Sequence, residues 1–191
     1  MRRNDLLARW STITSEYIYK TPFGHLRKDS FELQNKEEPI DYYVHEYPDW
    51  VNAVVLTKDS QILLVEQYRH PGNDFFLEVP AGKVEEGESY EEGFIREVQE
   101  ETGYTSLKKP ILLGEFTVNP ATQTNKVITF LILDAFQSSS PNLDDNEDVT
   151  VKIFPFDAIE ELIEDKKITQ LFTVSAYFFA KNYLSKNKEK N

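Results

Sequence analysis

GKVEEGESYEEGFIREVQEETGY, residues 82–104, is the stretch from which the rest of the fold can be predicted. Ser89 opens the pattern Ser-x-x-Glu, in which the serine oxygen caps a free backbone N–H and Glu92 bonds back to the serine N–H. Gly103 can adopt the left-handed conformation without steric cost, so it is a natural helix end. The stretch therefore predicts a glycine turn followed by a capped helix between Ser89 and Gly103.

Three glutamates share one face of this predicted helix. Glu97, Glu100 and Glu101 are spaced i, i+3 and i+4, where like charges repel by roughly 0.2–0.5 kcal/mol per pair. A divalent cation among them would reverse the sign of that cost. Oxygen ligands suit Mg²⁺ or Mn²⁺, and Mg²⁺ commonly binds a few carboxylates together with substrate phosphates. The pattern predicts a metal site and a phosphate compound as substrate, with a merely solvated acidic face as the alternative.

The spacing of the whole stretch resembles the signature of the Nudix hydrolases. It reads Gly82, five residues, Glu88, seven residues and then REVQEETGY at 96–104. Every fixed position is filled, although Tyr104 stands where the family usually has an aliphatic residue. The resemblance implies an α/β fold, a Nudix-type α/β/α sandwich with a mixed β-sheet. It also implies hydrolysis of nucleoside diphosphates that are linked to a further group.

The resemblance assigns metal-binding roles by position. Glu97 and Glu101 would be the principal ligands, Glu100 would assist, and the carbonyl oxygen of Ala81 would be a further ligand. Glu100 and Glu101 would thereby take part in catalysis. The implied cofactor is Mg²⁺, with Mn²⁺ as a substitute.

Two further roles follow from the same resemblance. Arg96 and Glu88 would form an ion pair that orients the loop and the helix. A glutamate just before a late strand acts as general base on the attacking water in related pyrophosphatases. Glu147, before the predicted strand 149–155, fits that place, and Asp148 is the alternative.

Segments before the helix resemble the ADP-ribose pyrophosphatase branch of the family. QYRHP at 67–71 carries Arg69, the candidate for a bidentate phosphate contact, with a surface ion pair as the alternative. EVPAG at 78–82 carries Glu78, which would contact the substrate or metal-bound waters, or bond within its loop. Trp50, at a strand start, is either a core anchor or a stacking partner for a purine base.

Pro120 supports the same branch. It lies 16 residues beyond Tyr104, an offset at which the branch has a proline. Its neighbours Asn119 and Ala121 replace the usual serine and glycine, which leaves the fine substrate preference open.

Composition limits the possible partners. The 191 residues suffice for one domain of ordinary size plus an N-terminal extension. The formal charge of −12 opposes binding to long nucleic acids and to anionic membranes. The sequence has no cysteine, and no run approaches the roughly 18 apolar residues of a membrane helix, so a cytoplasmic protein is expected.

Strand and helix patterns divide the chain into three parts. Residues 1–48 are expected to form a small N-terminal antiparallel β-sheet, which the resemblance associates with a homodimer. Residues 49–186 are expected to form the Nudix domain, and residues 187–191 a frayed tail. The segments that the patterns predict are strands at 15–20, 26–33, 41–47, 50–57, 61–67, 111–118, 126–136 and 149–155, and helices at 156–165 and 168–184.

The expected reaction is Mg²⁺-dependent hydrolysis of ADP-ribose to AMP and ribose 5-phosphate, with a small nucleoside diphosphate as the only partner besides a second copy of the chain. Another nucleotide sugar such as GDP-mannose, or a dinucleoside polyphosphate, remains an alternative substrate. A third alternative is a regulator that binds ADP-ribose without catalysis, although such proteins tend to lose the signature glutamates. Hydrolysis of damaged nucleoside triphosphates is disfavoured by the N-terminal extension, Arg69 and Pro120 together.

Overall fold

The computed structural model describes residues 9–33, 36, 38–143 and 148–188. Its contacts divide the chain into two units. The first contains the described residues up to Pro48 together with 117–126. The second contains 49–116 and the described residues from Val127 onwards.

The first unit is a three-stranded antiparallel sheet, as the sequence predicts. The strands are β1 (Ser11–Thr21), β2 (Gly24–Glu32) and β3 (Ile40–Glu46), in the order β1-β2-β3. Its loop 117–126 lies along β3, because the His45 N–H donates to the Thr122 carbonyl oxygen at 2.8 Å and the Thr124 N–H donates to the His45 carbonyl oxygen at 3.2 Å. All of β1 is exposed at one edge of this sheet.

The second unit is built on an eight-stranded mixed sheet. The central order is β11-β5-β4-β10-β8, with β6 paired to β5, β7 to β4 and β9 to β10. β4 and β10 are parallel, whereas β4 is antiparallel to β5 and β7. The strands are β4 (Trp50–Thr57), β5 (Gln61–Arg69), β6 (Asp74–Glu78), β7 (Ala81–Lys83), β8 (Tyr104–Thr105), β9 (Ile111–Thr117), β10 (Lys126–Gln137) and β11 (Val149–Pro155).

Helices cover both faces of this sheet. They are α1 (Tyr90–Thr102), α2 (Ile159–Glu164) and α3 (Leu171–Lys188). Side chains of β4 alternate between the faces. Val51, Ala53 and Val55 pack in one cluster with Phe94 and Val98 of α1. Val54 and Leu56 pack in the other with α2 and α3 residues, namely Ile159, Ala176, Tyr177 and Ala180. The expected α/β/α sandwich is confirmed.

Both ends of α1 are formed as predicted. The Ser89 hydroxyl oxygen accepts from the Glu92 N–H at 3.2 Å, and the Glu92 carboxylate accepts from the Ser89 N–H at 2.9 Å. Gly103 has a φ of 72° and its N–H donates to the Gln99 carbonyl oxygen. Since all of these contacts lie within one segment, local sequence was enough to predict them.

Other boundaries differ from the prediction. β5 continues to Arg69 because Tyr68 and Arg69 pair with β6, which the sequence analysis did not predict. The last helix begins at Leu171, where the Gln170 side-chain oxygen accepts from the Thr173 N–H at 2.7 Å. That helix extends to Lys188, and residues 189–191 of the expected tail lie outside the described residues. None of the helices in the described part of the chain is long and apolar enough to cross a membrane.

Candidate active site

The carboxylate of Glu97 lies directly against the backbone of Gly82. A Cβ atom placed on Gly82 would be 2.0 Å from the Glu97 carboxylate carbon, so only glycine leaves room for this approach. The Glu97 side chain is 12% exposed. Gly82, the glycine that begins the signature, therefore determines where α1 can place the Glu97 carboxylate.

Glu101 ties α1 to β7. It is 4% exposed, and its Oε2 accepts a hydrogen bond of 3.1 Å from the Ala81 N–H. A carboxylate this buried is costly unless donors or a cation compensate it. Ala81, whose carbonyl oxygen is expected to bind a metal, thus also orients Glu101, one of the expected carboxylate ligands.

Arg96 is the cation at the centre of these carboxylates. Its Nε and Nη2 donate to the two Glu88 carboxylate oxygens at 2.9 and 3.0 Å, as the expected ion pair requires. Its Nη1 also donates to Glu97 Oε1 and Glu100 Oε2, both at 2.9 Å. The hydrogen bonds from Arg96 lower the pKa of Glu88 below its usual value, and the bonds to Glu88 raise the pKa of Arg96. The sequence analysis missed the contacts to Glu97 and Glu100, although the i, i+4 spacing of Arg96 and Glu100 was the available signal.

The donor chemistry of this cluster fits a hard divalent cation. Glu97, Glu100 and Glu101 offer carboxylate oxygens from adjacent turns of one helix, and Ala81 lies beside Glu101. Among the described residues, no three acidic or histidine side chains already converge as a ligand set. Arg96 instead supplies the positive charge next to Glu97 and Glu100. Arg96 bonds one oxygen of Glu97 and one of Glu100, so the second oxygen of each carboxylate is the atom to direct towards an ion, and the 39% exposed Glu100 side chain has room to turn.

A pocket of about 480 Å³ opens beside this cluster. It is walled by β4, β7, the β5–β6 hairpin and the start of α3. It brings together Ala81, Trp50, Arg69 and Glu78, which the sequence analysis had singled out from separate segments. The rings of Trp50 and Phe172 meet edge to face at its rim, with centroids 5.6 Å apart. Its remaining lining residues include Asn52, Gly72, Phe76, Lys83 and Gln170, which the sequence analysis did not select.

Arg69 and Glu78 form a two-pronged ion pair in this pocket. Nε and Nη2 of Arg69 lie 3.0 and 2.7 Å from the two Glu78 carboxylate oxygens. The Glu78 side chain is 4% exposed and that of Arg69 is 45% exposed. Sequence analysis proposed an ion pair for Arg69 as an alternative and a loop bond for Glu78, but it missed that they are partners. In the β5–β6 register Arg69 lies opposite Asp74 and Glu78 lies opposite Val65, so the two side chains meet by reaching along the hairpin.

Glu147, the expected general base, lies outside the described residues. Asp148, its alternative, immediately precedes β11, whose first residue Val149 pairs with Gln67 of β5. Gln67 is two residues from Arg69. β11, which follows Asp148, therefore lies beside β5, the strand that carries Arg69.

Comparisons with known proteins show which families and relatives this chain resembles. A family model described as NUDIX domain matches residues 46–172, and one described as nucleoside diphosphate sugar hydrolase N-terminal domain matches residues 10–45. The methanol dehydrogenase activator of Bacillus methanolicus is 30% identical over 86% of this chain and 89% of its own length. The ADP-ribose pyrophosphatase of Bacillus subtilis (strain 168) is also 30% identical, over the same shares of the two chains.

A solved structure supports the fold. The crystal structure of an ADP compounds hydrolase matches with a TM-score of 0.82, covering 96% of this chain and 98% of that chain at 20% sequence identity. This likeness confirms the expected architecture. The matches to residues 10–172 confirm the resemblance that was found in the signature stretch.

Proposed function

This chain belongs to the Nudix hydrolase family, and on that premise we propose that it hydrolyses the diphosphate bond of ADP-ribose to give AMP and ribose 5-phosphate. The observation that carries the proposal is the complete glutamate set of α1, which contacts Ala81 and Gly82 in the wall of a pocket that also holds Arg69 and an aromatic rim. The substrate assignment is supported by the relative from Bacillus subtilis that is named for this activity.

The proposed cofactor is Mg²⁺, with Mn²⁺ as a substitute. Glu97, Glu100, Glu101 and the Ala81 carbonyl oxygen would hold it. When bound, such an ion neutralises charge on a diphosphate and lowers the pKa of a bound water. Ala81 and Gly82 keep the carboxylates in place through the 3.1 Å bond to Glu101 and the close contact with Glu97.

The remaining residues bind the substrate and move the proton. Arg69, held by Glu78, would direct its guanidinium towards the substrate phosphates, because a planar fork suits phosphate oxygens. Trp50 would stack on the purine base. Glu147 would take the proton from the attacking water as general base, with Asp148 as the alternative.

Two other kinds of compound remain alternative substrates for the same hydrolysis. A GDP-mannose type nucleotide sugar or a dinucleoside polyphosphate also contains a diphosphate bond that the same cluster could cleave. A regulator that only binds ADP-ribose is disfavoured, because every signature glutamate is present in the sequence.

A substrate panel tests the proposal. Product release is measured from ADP-ribose, GDP-mannose, a diadenosine polyphosphate and a nucleoside triphosphate, each with Mg²⁺ and with chelator. The proposal expects the highest kcat/KM for ADP-ribose and no turnover with chelator. A preference for another diphosphate would refute the substrate assignment and retain the glutamate chemistry, whereas turnover that does not depend on a divalent metal would refute the mechanism.

We further propose that the chain acts as a cytoplasmic homodimer. The first unit supports the dimer, because its edge strand β1 exposes Ile13, Tyr17, Ile18 and Tyr19 with 46–50% of each side chain accessible. An edge strand with exposed apolar side chains favours pairing with another chain. The lack of cysteine is compatible with a cytoplasmic location.

A further inference from the structure

Asn52 is a buried polar residue of the pocket for which the proposed mechanism has no use. It is 2% exposed, it lines the pocket, and its side-chain Oδ1 is buried without a hydrogen-bond donor. A buried acceptor left without a donor destabilises the fold, because the hydrogen bond it made to water is not replaced. The neighbouring positions of β4 are occupied by valine and alanine, which would fill this place without that cost. The amide at this position is therefore expected to serve a ligand.

The register of three strands places Asn52 at the floor of the site. It is the Cα partner of Ala81 on β7, and on its other side it is the Cα partner of Thr129 on β10. Thr129 is also 2% exposed. One step further along each strand, Val54 and Leu131 belong to the apolar core. On β4 and β10, polar side chains thus replace apolar ones at the paired positions beside Ala81, where the diphosphate is expected to bind.

The residues at the rim of the pocket indicate which chemical group of the substrate contacts Asn52. Asn52 lies on the same face of β4 as Trp50, since side chains two residues apart along a strand point the same way. A group that contacts Asn52 is therefore adjacent to the diphosphate on one side and to the Trp50 ring on the other. In a nucleotide sugar the groups attached to the diphosphate are sugars. A sugar offers hydroxyl donors for an amide oxygen, and its C–H face packs on aromatic rings.

We propose that Asn52 is a specificity-determining residue that accepts a hydrogen bond from a sugar hydroxyl of the substrate. The proposal rests on the proposed function for the position of the diphosphate. The hydroxyl comes either from the nucleoside ribose or from the second sugar, and both sources present the same donor to Oδ1. Asn52 discriminates substrates in this way because a substrate without that hydroxyl leaves the buried oxygen unpaired.

Two analogues of ADP-ribose distinguish the two sources. One is the β-methyl ester of ADP, which replaces the second sugar by a methyl group. The other is ADP-ribose with a 2′,3′-dideoxyadenosine half. For one of the two analogues, the fall in kcat/KM relative to ADP-ribose should be about tenfold larger in the wild-type protein than in Asn52→Ala. Both proteins lose the other contacts of the missing group, but only the wild-type protein also loses the hydrogen bond to Asn52, and about tenfold is the size of one net hydrogen bond. Asn52→Ala should lower kcat/KM for ADP-ribose and lose that extra discrimination.

Matched variants separate this role from a structural one. Asn52→Leu keeps the branched shape of the side chain without its polar atoms and should behave as Asn52→Ala does, while Asn182→Ala on the exposed face of α3 should match the wild-type protein. A loss of packing alone would lower kcat/KM for ADP-ribose and both analogues by the same factor. If both Asn52 variants keep the full wild-type discrimination against both analogues, the proposal is overturned.

A binding measurement tests the role of Asn52 independently of the proposed reaction. Dissociation constants of ADP-ribose and of the analogues are measured by calorimetry with chelator present, so no turnover is needed. If ADP-ribose binds but is not hydrolysed with Mg²⁺, the proposed reaction fails while the role of Asn52 is still decided. An about tenfold weaker binding of ADP-ribose to Asn52→Ala supports the role, and equal affinity of the variant and the wild-type protein overturns it.

Discussion

Gly82 has no side chain, and this determines where the Glu97 carboxylate, a proposed metal ligand, can lie. Because a Cβ there would lie 2.0 Å from the Glu97 carboxylate carbon, Gly82 and Glu97 act as one steric unit although they are 15 residues apart in the sequence. The signature reveals that a glycine is needed, but only the structure gives the reason. The requirement is space, since the backbone at Gly82 does not have the positive φ found at Gly103.

Gly82→Ala should therefore damage activity more than stability. The added methyl group forces the Glu97 carboxylate away from its position, and a displacement of about 1 Å can cost roughly 100-fold in rate. The measurement is kcat for ADP-ribose at saturating Mg²⁺, with the urea unfolding midpoint as control. An active Gly82→Ala variant would show that Glu97 can leave this position without loss.

The Glu88–Arg96 pair predicts a specific dependence of stability on pH. The pKa of Glu88 is lowered from its ordinary value of 4.5 by hydrogen bonds from Arg96 and from the Glu85 N–H. A lowered folded-state pKa adds stability that is present above the unfolded-state pKa and is lost as the pH falls through the folded-state pKa. Glu88→Gln should be less stable than the wild-type protein at pH 7.

That difference should shrink as the pH falls below about 4.5 and approach its minimum below the folded-state pKa of Glu88. Urea unfolding of both proteins between pH 7 and pH 3, with chelator present, measures it. A difference that stays constant over this range would contradict a stabilising charge on Glu88.

At the scale of the elements, α1 is the helix on which the active site depends. Its two caps fix where the helix begins and ends, and so determine which residues face β7. Ser89 and Glu92 bond reciprocally at one end, and Gly103 closes the other. The caps therefore contribute both to stability and to the placement of the glutamates.

Ser89→Ala should lower the free energy of unfolding by about 1 kcal/mol, the usual cost of removing such a cap. Ser185→Ala, which changes an exposed serine near the end of α3, is the matched control and should have a much smaller effect. Chemical denaturation of the two variants measures both values. Equal effects of the two substitutions would remove the special role of the cap.

These elements also explain what the sequence could predict. The signals of α1 are local, because caps and i, i+4 spacing are complete within one segment. β6 and β7 were missed because strands of five and three residues are defined by their partners, β5 and β4, which periodicity does not identify. The Arg69–Glu78 pair depends on how β5 and β6 lie side by side, and the unpaired Oδ1 of Asn52 depends on the neighbours of β4, so both were found only in the structure.

At the scale of the whole molecule, the exposed edge of the first unit determines the expected assembly. Ile18 is 50% exposed on β1. Ile18→Lys should convert the proposed dimer to a monomer, because a charged residue on an edge strand opposes pairing with another chain. Leu107, which is 92% exposed in the second unit, provides the control variant Leu107→Lys.

Light scattering after size-exclusion chromatography measures the outcome against the 22.3 kDa mass of one protomer. The wild-type protein and Leu107→Lys should have twice that mass, and Ile18→Lys should have the mass of one chain. A wild-type monomer would refute the proposed dimer. If the Ile18→Lys variant is a dimer, the dimer interface does not involve β1.

The central claim is that the α1 glutamates catalyse metal-dependent hydrolysis of a diphosphate, and Glu101 tests it most directly. We would measure AMP release from ADP-ribose at saturating Mg²⁺ for Glu101→Gln and for Glu91→Gln, which lies on the exposed face of the same helix. Glutamine can still accept the hydrogen bond from the Ala81 N–H, but it removes the charge. We expect kcat to be lowered by about 10²- to 10³-fold for Glu101→Gln, the scale at which removing one charge-stabilising group acts. Glu91→Gln should keep normal activity, and near-normal activity of Glu101→Gln would contradict the account.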